Sequence, residues 1–193
     1  LKDLYGRVAR LLGKAVGRRL TSVECCLLID EAAVTIVAGN IRRSAGMRQF
    51  ASNDTSAAGA KDNLWQQDAE GNWRIDPERD ALRMANHTRV YHTRPSREVL
   101  LEAVTRQFHS GEGAIQFAPE AIARSNADLL STPELRREFI DIYCDQGKEE
   151  AGRWLNLNHG PIAEAELEHR LGRYGLNPCG EILGADFHCN LAE

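Results

Sequence analysis

The sequence predicts an α/β protein in which helices alternate with short strands. Three observations carry that reading: apolar residues recur at helical spacing, apolar or β-branched runs of strand length separate them, and cap or turn residues mark the junctions. Residues 1–16 place Leu1, Leu4, Val8, Leu11, Leu12 and Ala15 on one helical stripe. Thr21 followed by Glu24 has the capping-box pattern, and the apolar run to Ala38 predicts a buried helix that Gly39 ends. The β-branched group Val34, Thr35, Ile36 and Val37 also suits a strand, but the cap and the length favour the helix. "NIRRSAGMRQF" follows as a loop leading into a short strand. Residues 51–80 are polar and rich in Gly, Asn and Asp, and predict a surface excursion pinned down by Trp65 and Trp73. Ser96 is the expected N-cap of an amphipathic helix. "GEGAIQFAPEAIARSNADLL" reads as a turn, a buried strand and a helix with Pro119 in its first turn. Residues 131–172 are expected to be helical, charged and peripheral, before 173–193 return to loop. The chain thus divides into 1–50, 51–80, 81–172 and 173–193, with no internal repeat and no low-complexity tract.

Composition excludes several functions. Hydrophobic residues make up 42%, the net charge is −4 and mean hydropathy is −0.43, which gives no electrostatic basis for binding nucleic acid or an anionic membrane. The apolar stretch from Cys25 to Ala38 is interrupted by Asp30 and Glu31 and is too short to span a bilayer. No signal peptide is read at the start, and Leu1 in place of Met indicates that the native protein begins earlier. Five cysteines, an odd count, argue against a secreted disulfide framework and for a reducing, cytoplasmic compartment.

Two of those cysteines fall in "NPCGEILGADFHCN", residues 177–190. Pro178 fixes φ and Gly180 permits backbone angles closed to other residues, so Cys179 sits as at the tip of a tight loop. In an extended segment, Asn177, Cys179 and Glu181 would face the same way and could converge on one small ligand. A thiol, an amide and a carboxylate then supply a sulfur centre, a hydrogen-bond donor and a proton acceptor. Cys189 follows ten residues on, in "FHCNL", which reads as a short strand. Zinc binding at Cys179, Cys189 and His188 is weakly supported, since no CxxC spacing occurs. A cysteine hydrolase would need a remote base; His87, His92, His109, His159 and His169 are present without a recognisable context. Cys25, Cys26 and Cys144 read as small buried hydrophobes. The residues alone therefore indicate a thiol site, with its chemistry left open.

"NPCGEI" followed closely by "FHCNLAE" resembles the finger loop of adenosylcobalamin-dependent ribonucleotide reductases, and the short gap resembles the monomeric, triphosphate-reducing branch. "LTSVECCLLIDEAAVTIVAGNIRRSAG" is similar to the segment of that family ending in its second specificity loop. "RMANHTRVYHTRPS" and "GEGAIQFAPEAIARSN" resemble intervening barrel elements, in the expected order across nearly all of the chain. The resemblance implies part of a ten-stranded α/β barrel with an active-site finger loop. It implies that Cys179 becomes a thiyl radical that removes the 3′-hydrogen of the ribose, that Glu181 takes the 3′-hydroxyl proton, and that Asn177 hydrogen-bonds substrate hydroxyls. Cys189 matches one of the two thiols that reduce the 2′-carbon; nothing in this chain matches the other. Gly39, Asn40, Ile41, Arg42, Arg43, Ser44 and Ala45 match the loop that couples a deoxynucleotide effector to the choice of substrate base, with the arginines suited to forked hydrogen bonds. Further implied are a ribonucleoside triphosphate substrate, a thioredoxin-type reductant, and adenosylcobalamin held mainly by the remainder of the reductase chain. On this reading the 193 residues are a middle fragment, inactive alone. Two rivals are a regulatory nucleotide-binding module without catalysis and a small redox protein using Cys179 and Cys189.

Overall fold

A computed structural model describes residues 1–38, 42–43 and 45–185. Among them, the mixed α/β reading holds: eight α-helices surround a three-stranded parallel sheet and three two-stranded antiparallel pairs. No closed barrel is found among the described residues, and no helix there is long and apolar enough to cross a membrane.

Helix α1 (Lys2–Lys14) leads to α2 (Ser22–Val34), whose N-terminus carries the predicted capping box: Thr21 accepts from the Glu24 N–H, and the Glu24 carboxylate accepts from the Thr21 N–H. Helix α2 stops at Val34, short of the expected Ala38. The β-branched run explains this, since Val34 to Val37 crowd a helical backbone. The chain enters strand β1 (Val37–Ala38), which pairs antiparallel with β2 (Arg42–Arg43).

The parallel sheet is built from β3 (Gly46–Ala51), β6 (Ala85–Tyr91) and β7 (Ala114–Phe117), with β6 in the centre. Gln49 lies opposite Thr88, and Val90 opposite Gln116. Alternation therefore places Met47, Gln49, Asn86, Thr88 and Gln116 on one face, and Arg48, His87 and Arg89 on the other. Between β3 and β6 runs the polar excursion, with the short helix α3 (Thr55–Ala58) and the hairpin β4 (Trp65–Gln67) with β5 (Trp73–Ile75). The two tryptophans do not pin it: Trp65 is 55% exposed and Trp73 66%. Buried Ala57, Ala60 and Leu64 do so instead, with Arg79, which donates to the carbonyls of Ala60, Asp62 and Asn63. One arginine closing three loop carbonyls holds a loop more firmly than an indole on an open surface can.

Helix α4 (Arg97–Ser110) starts at the predicted Ser96 cap, yet buries only Ala103. Strand β7 runs straight into α5 (Ala118–Ser125), with Pro119 in its first turn as expected. Helices α6 (Pro133–Gln146), α7 (Lys148–His159) and α8 (Glu164–Leu171) correct the peripheral reading of 131–172. Phe139, Ile140, Tyr143, Ala151, Leu155 and Leu171 join Val90 and Ile122 in the main hydrophobic core. The charges of this segment sit on outward faces, and its apolar stripes are what the rest of the fold packs against. Fully buried Asn126 ties α5 to α8, donating to the carbonyls of Ile122 and Arg170.

On the Arg48 face, Asp30 of α2 is fully buried and ion-paired with Arg48. Burial, only partly offset by Arg48, pushes its carboxyl up to about 6. Nearby, burial and then the Lys61 cation push His87 down from 6.5 to about 4. Unfolded chain takes up this histidine's proton near pH 6.5 and folded chain only near 4, so the unfolded state binds more protons in between. Stability present above pH 6.5 is then lost as the pH falls through that window, by about 3 kcal/mol. Asp30 runs the opposite way, keeping its proton longer in the folded state, and cancels when a His87 variant is compared with the parent. The urea midpoint of the parent is expected to fall more steeply between pH 6.5 and 4 than that of His87→Gln; parallel profiles would contradict the assignment.

Candidate active site

Residues 177–182 close the antiparallel pair of β8 (Gly175–Leu176) and β9 (Leu183–Gly184), with Leu176 opposite Leu183. The tight loop read around Cys179 is there, and three residues make it. Pro178 restricts the entry, and Gly180 takes φ +79°, where a side chain would be strained. Asn177 ties the loop from within. Its Oδ1 accepts from the N–H groups of Glu181 at 2.9 Å and Ile182 at 3.0 Å, its N–H donates to the Ile182 carbonyl, and its carbonyl accepts from Gly180.

The loop is curled, so the alternation expected of an extended segment does not apply. Asn177 is 2% exposed and turned inward, whereas Cys179 and Glu181 are exposed together at the tip. The thiol and the carboxylate are both open to solvent, and the Asn177 amide oxygen accepts from the loop's own backbone. Cys189 and His188 lie outside the described residues, as do Gly39, Asn40, Ile41 and Ser44. Arg42 and Arg43 form the short strand β2 rather than open loop.

What holds the hairpin in place was missed in the sequence. Gln49 of β3 and Gln116 of β7 both donate to the Tyr174 carbonyl at 2.8 Å, and Gln49 also donates to Gln116 Oε1 at 2.5 Å. The Gln49 side-chain Oε1 accepts from the Leu176 N–H at 3.0 Å. From the central strand, Asn86 donates to the Pro178 carbonyl at 2.7 Å. All three amides come from the same sheet face. A signal for two of them existed: "RQF" and "IQF" each set a lone glutamine inside a strand otherwise suited to burial, and a buried amide needs partners.

Beside the hairpin is a cleft of about 490 Å³, lined by Leu176, Asn177 and Pro178 on one side and by Ala45, Gly46 and Met47 on the other. That volume suits a small organic ligand. Ala45, the last residue of the expected effector loop, thus borders the same cleft as the cysteine hairpin.

Elsewhere, Cys26 and Cys144 are half-buried, and burial pushes both thiols up, away from thiolate chemistry. Cys25 corrects the buried reading: it is exposed on α2. Behind the hairpin, the His92 ring meets Tyr174 edge-on at 5.4 Å and bonds the Tyr143 hydroxyl at 3.1 Å. Burial, then Lys148, lowers the His92 pKa.

Asn177→Ala removes the acceptor for two loop amides and is expected to cost about 1–3 kcal/mol locally. Hydrogen exchange at Glu181 and Ile182 should accelerate at least about tenfold, while Asn177→Asp, which keeps an acceptor, retains protection. Unchanged exchange in the alanine variant would show that the side chain does not shape the loop.

No protein-family model, no curated protein and no solved structure matches this chain.

Proposed function

We propose that the chain is part of a cytoplasmic ribonucleotide reductase that converts ribonucleoside triphosphates to deoxyribonucleotides by thiyl-radical chemistry. The observation that supports this best is the shared cleft. The hairpin that exposes Cys179 and Glu181 contributes Leu176, Asn177 and Pro178 to a cleft that is also lined by Ala45, the end of the "GNIRRSA" segment. A substrate in that cleft would contact the entry of the hairpin, next in sequence to Cys179, and the end of the effector loop. On this reading β3, β6 and β7 are an arc of the ten-stranded barrel, and the hairpin projects from the face that lines its interior.

The Cys179 sulfur radical takes the 3′-hydrogen of the ribose, so that an S–H bond forms as the C–H bond breaks. Glu181 accepts the 3′-hydroxyl proton and gives it back when the 3′-hydroxyl is restored at the end of the cycle. At the 2′-carbon the hydroxyl leaves as water and hydrogen takes its place, two thiols supplying the two electrons and closing to a disulfide. Cys189 is one of them, and a thioredoxin-type protein returns the pair to dithiol. Cys179 then gives its hydrogen back to the 3′-carbon and is again the radical.

Adenosylcobalamin is assigned mainly to regions outside this chain. Its binding, and the cobalt–carbon homolysis by which it supplies a radical, belong to the remainder of the reductase chain. A deoxynucleotide effector is assigned to Gly39–Ala45, with Arg42 and Arg43 as its contacts.

The two cysteines should fail differently in the complete reductase. Cys179→Ser should abolish turnover and all substrate radical chemistry, because an O–H bond is far harder than S–H to convert to a radical. Cys189→Ser should still permit loss of the 3′-hydrogen but lack a reductant, so the substrate breaks down and free base is released. Assay of base release with adenosylcobalamin and substrate separates the two. Equal, base-free inactivity in both variants, or turnover by Cys179→Ser, would overturn the division of roles.

A further inference from the structure

A second cavity lies on the other face of the parallel sheet, the face of Arg48, His87 and Arg89. It encloses about 680 Å³ between the central strand, the polar excursion and the end of α4. Four cationic side chains line it, Lys61, Arg83, Arg89 and Arg106, against two carboxylates, Asp62 and Glu112. Both carboxylates are already neutralised: Lys61 bonds Glu112 at 2.7 Å and Arg106 bonds Asp62 at 2.7 Å. Two positive charges are left over.

Arg89 is the unusual one. It is only 7% exposed, and its guanidinium makes no hydrogen bond or ion pair among the described residues. A cation in so largely covered a position, with no counter-charge beside it, is where an anion would be attracted. Arg89 lines the cavity beside Gly113, at φ +95°, where a Cβ would lie 3.7 Å from Nη1. Arg83, exposed at the rim, is also without a carboxylate partner. In the same wall the Nε2 of His87, 4% exposed, is buried with no partner. Trp65 adds a flat apolar wall that is 55% open.

We propose that this cavity binds a phosphate-bearing small molecule, with Arg89 and Arg83 gripping the phosphate and Trp65 covering the organic part. The excess of two positive charges matches a phosphate dianion, and the forked donors of arginine match its oxygens. The site is separated by the sheet from the Cys179 cleft and stands whether or not the reductase reading does.

Isothermal titration of the full 193-residue chain with inorganic phosphate tests it. Saturable binding of one ion per chain is expected, with a Kd on the order of millimolar. Arg89→Gln and Arg83→Gln should each weaken it about tenfold or more, and Arg137→Gln, on the remote α6, should leave it unchanged. Should Arg89→Gln not fold, the exposed Arg83→Gln decides alone. Phenyl phosphate should bind more tightly than phosphate and lose that advantage in Trp65→Ala. Absence of saturable phosphate binding, equal affinity in Arg83→Gln, or equal weakening by Arg137→Gln would overturn the proposal.

Discussion

Two glutamine side chains sharing one carbonyl hold the candidate active site to the fold. The Tyr174 oxygen accepts from both Gln49 and Gln116, and Gln49 returns an acceptor to the Leu176 N–H. These bonds join β3 and β7 to the strand that opens the Cys179 hairpin, while Asn86 of the central strand reaches the Pro178 carbonyl in its loop. Each such bond contributes only about 0.5–1.5 kcal/mol net. Leaving the buried amides without partners would cost more, and that asymmetry makes the arrangement specific rather than merely favourable. A hairpin of two-residue strands has little stability of its own. Its geometry is inherited from the sheet, and so is the position of the thiol.

The sheet can impose that geometry because its own position is fixed from both sides. Helices α5 to α8 pack Phe139, Ile122 and Leu155 into the main core, and α2 reaches the other face through the buried Asp30–Arg48 pair. Such a pair adds little net stability over a well-packed apolar contact, but breaking it strands a charge. It therefore acts chiefly to define one way for α2 to sit on β3. The chain that leaves α2 passes through β1 and β2 and returns at Ala45 to the cleft beside the hairpin, so the placement of α2 also places one wall of the candidate site.

Much of this was legible in the sequence wherever a local signal decided the structure. The Thr21–Glu24 capping box, the Ser96 cap, Pro119 after β7, and the Pro178–Gly180 turn all act within a few residues of themselves, and all are where their chemistry puts them. The failures were tertiary. Charge made 131–172 look peripheral, because the count of charged residues hides the apolar stripe between them. Trp65 and Trp73 looked like anchors, yet Arg79 serves that role through backbone carbonyls that no composition reveals. The alternation of Asn177, Cys179 and Glu181 assumed an extended strand, while Gly180 curls the loop and turns Asn177 inward. Gln49 and Gln116, sixty-seven positions apart, become a pair only once two parallel strands flank a third.

The claim at the centre of this account is that Cys179, presented at the hairpin tip, is the atom that takes the ribose hydrogen. While it holds the ribose hydrogen a thiol can exchange it with water, so a fraction of a label that passes through it leaks to solvent before the rest returns to the 3′-carbon. Ribonucleoside triphosphate tritiated at the 3′-carbon, incubated with the complete reductase and adenosylcobalamin, should release tritium to water with the parent enzyme and none with Cys179→Ser. Release at the parental rate from the serine variant, or none from the parent during turnover, would contradict it.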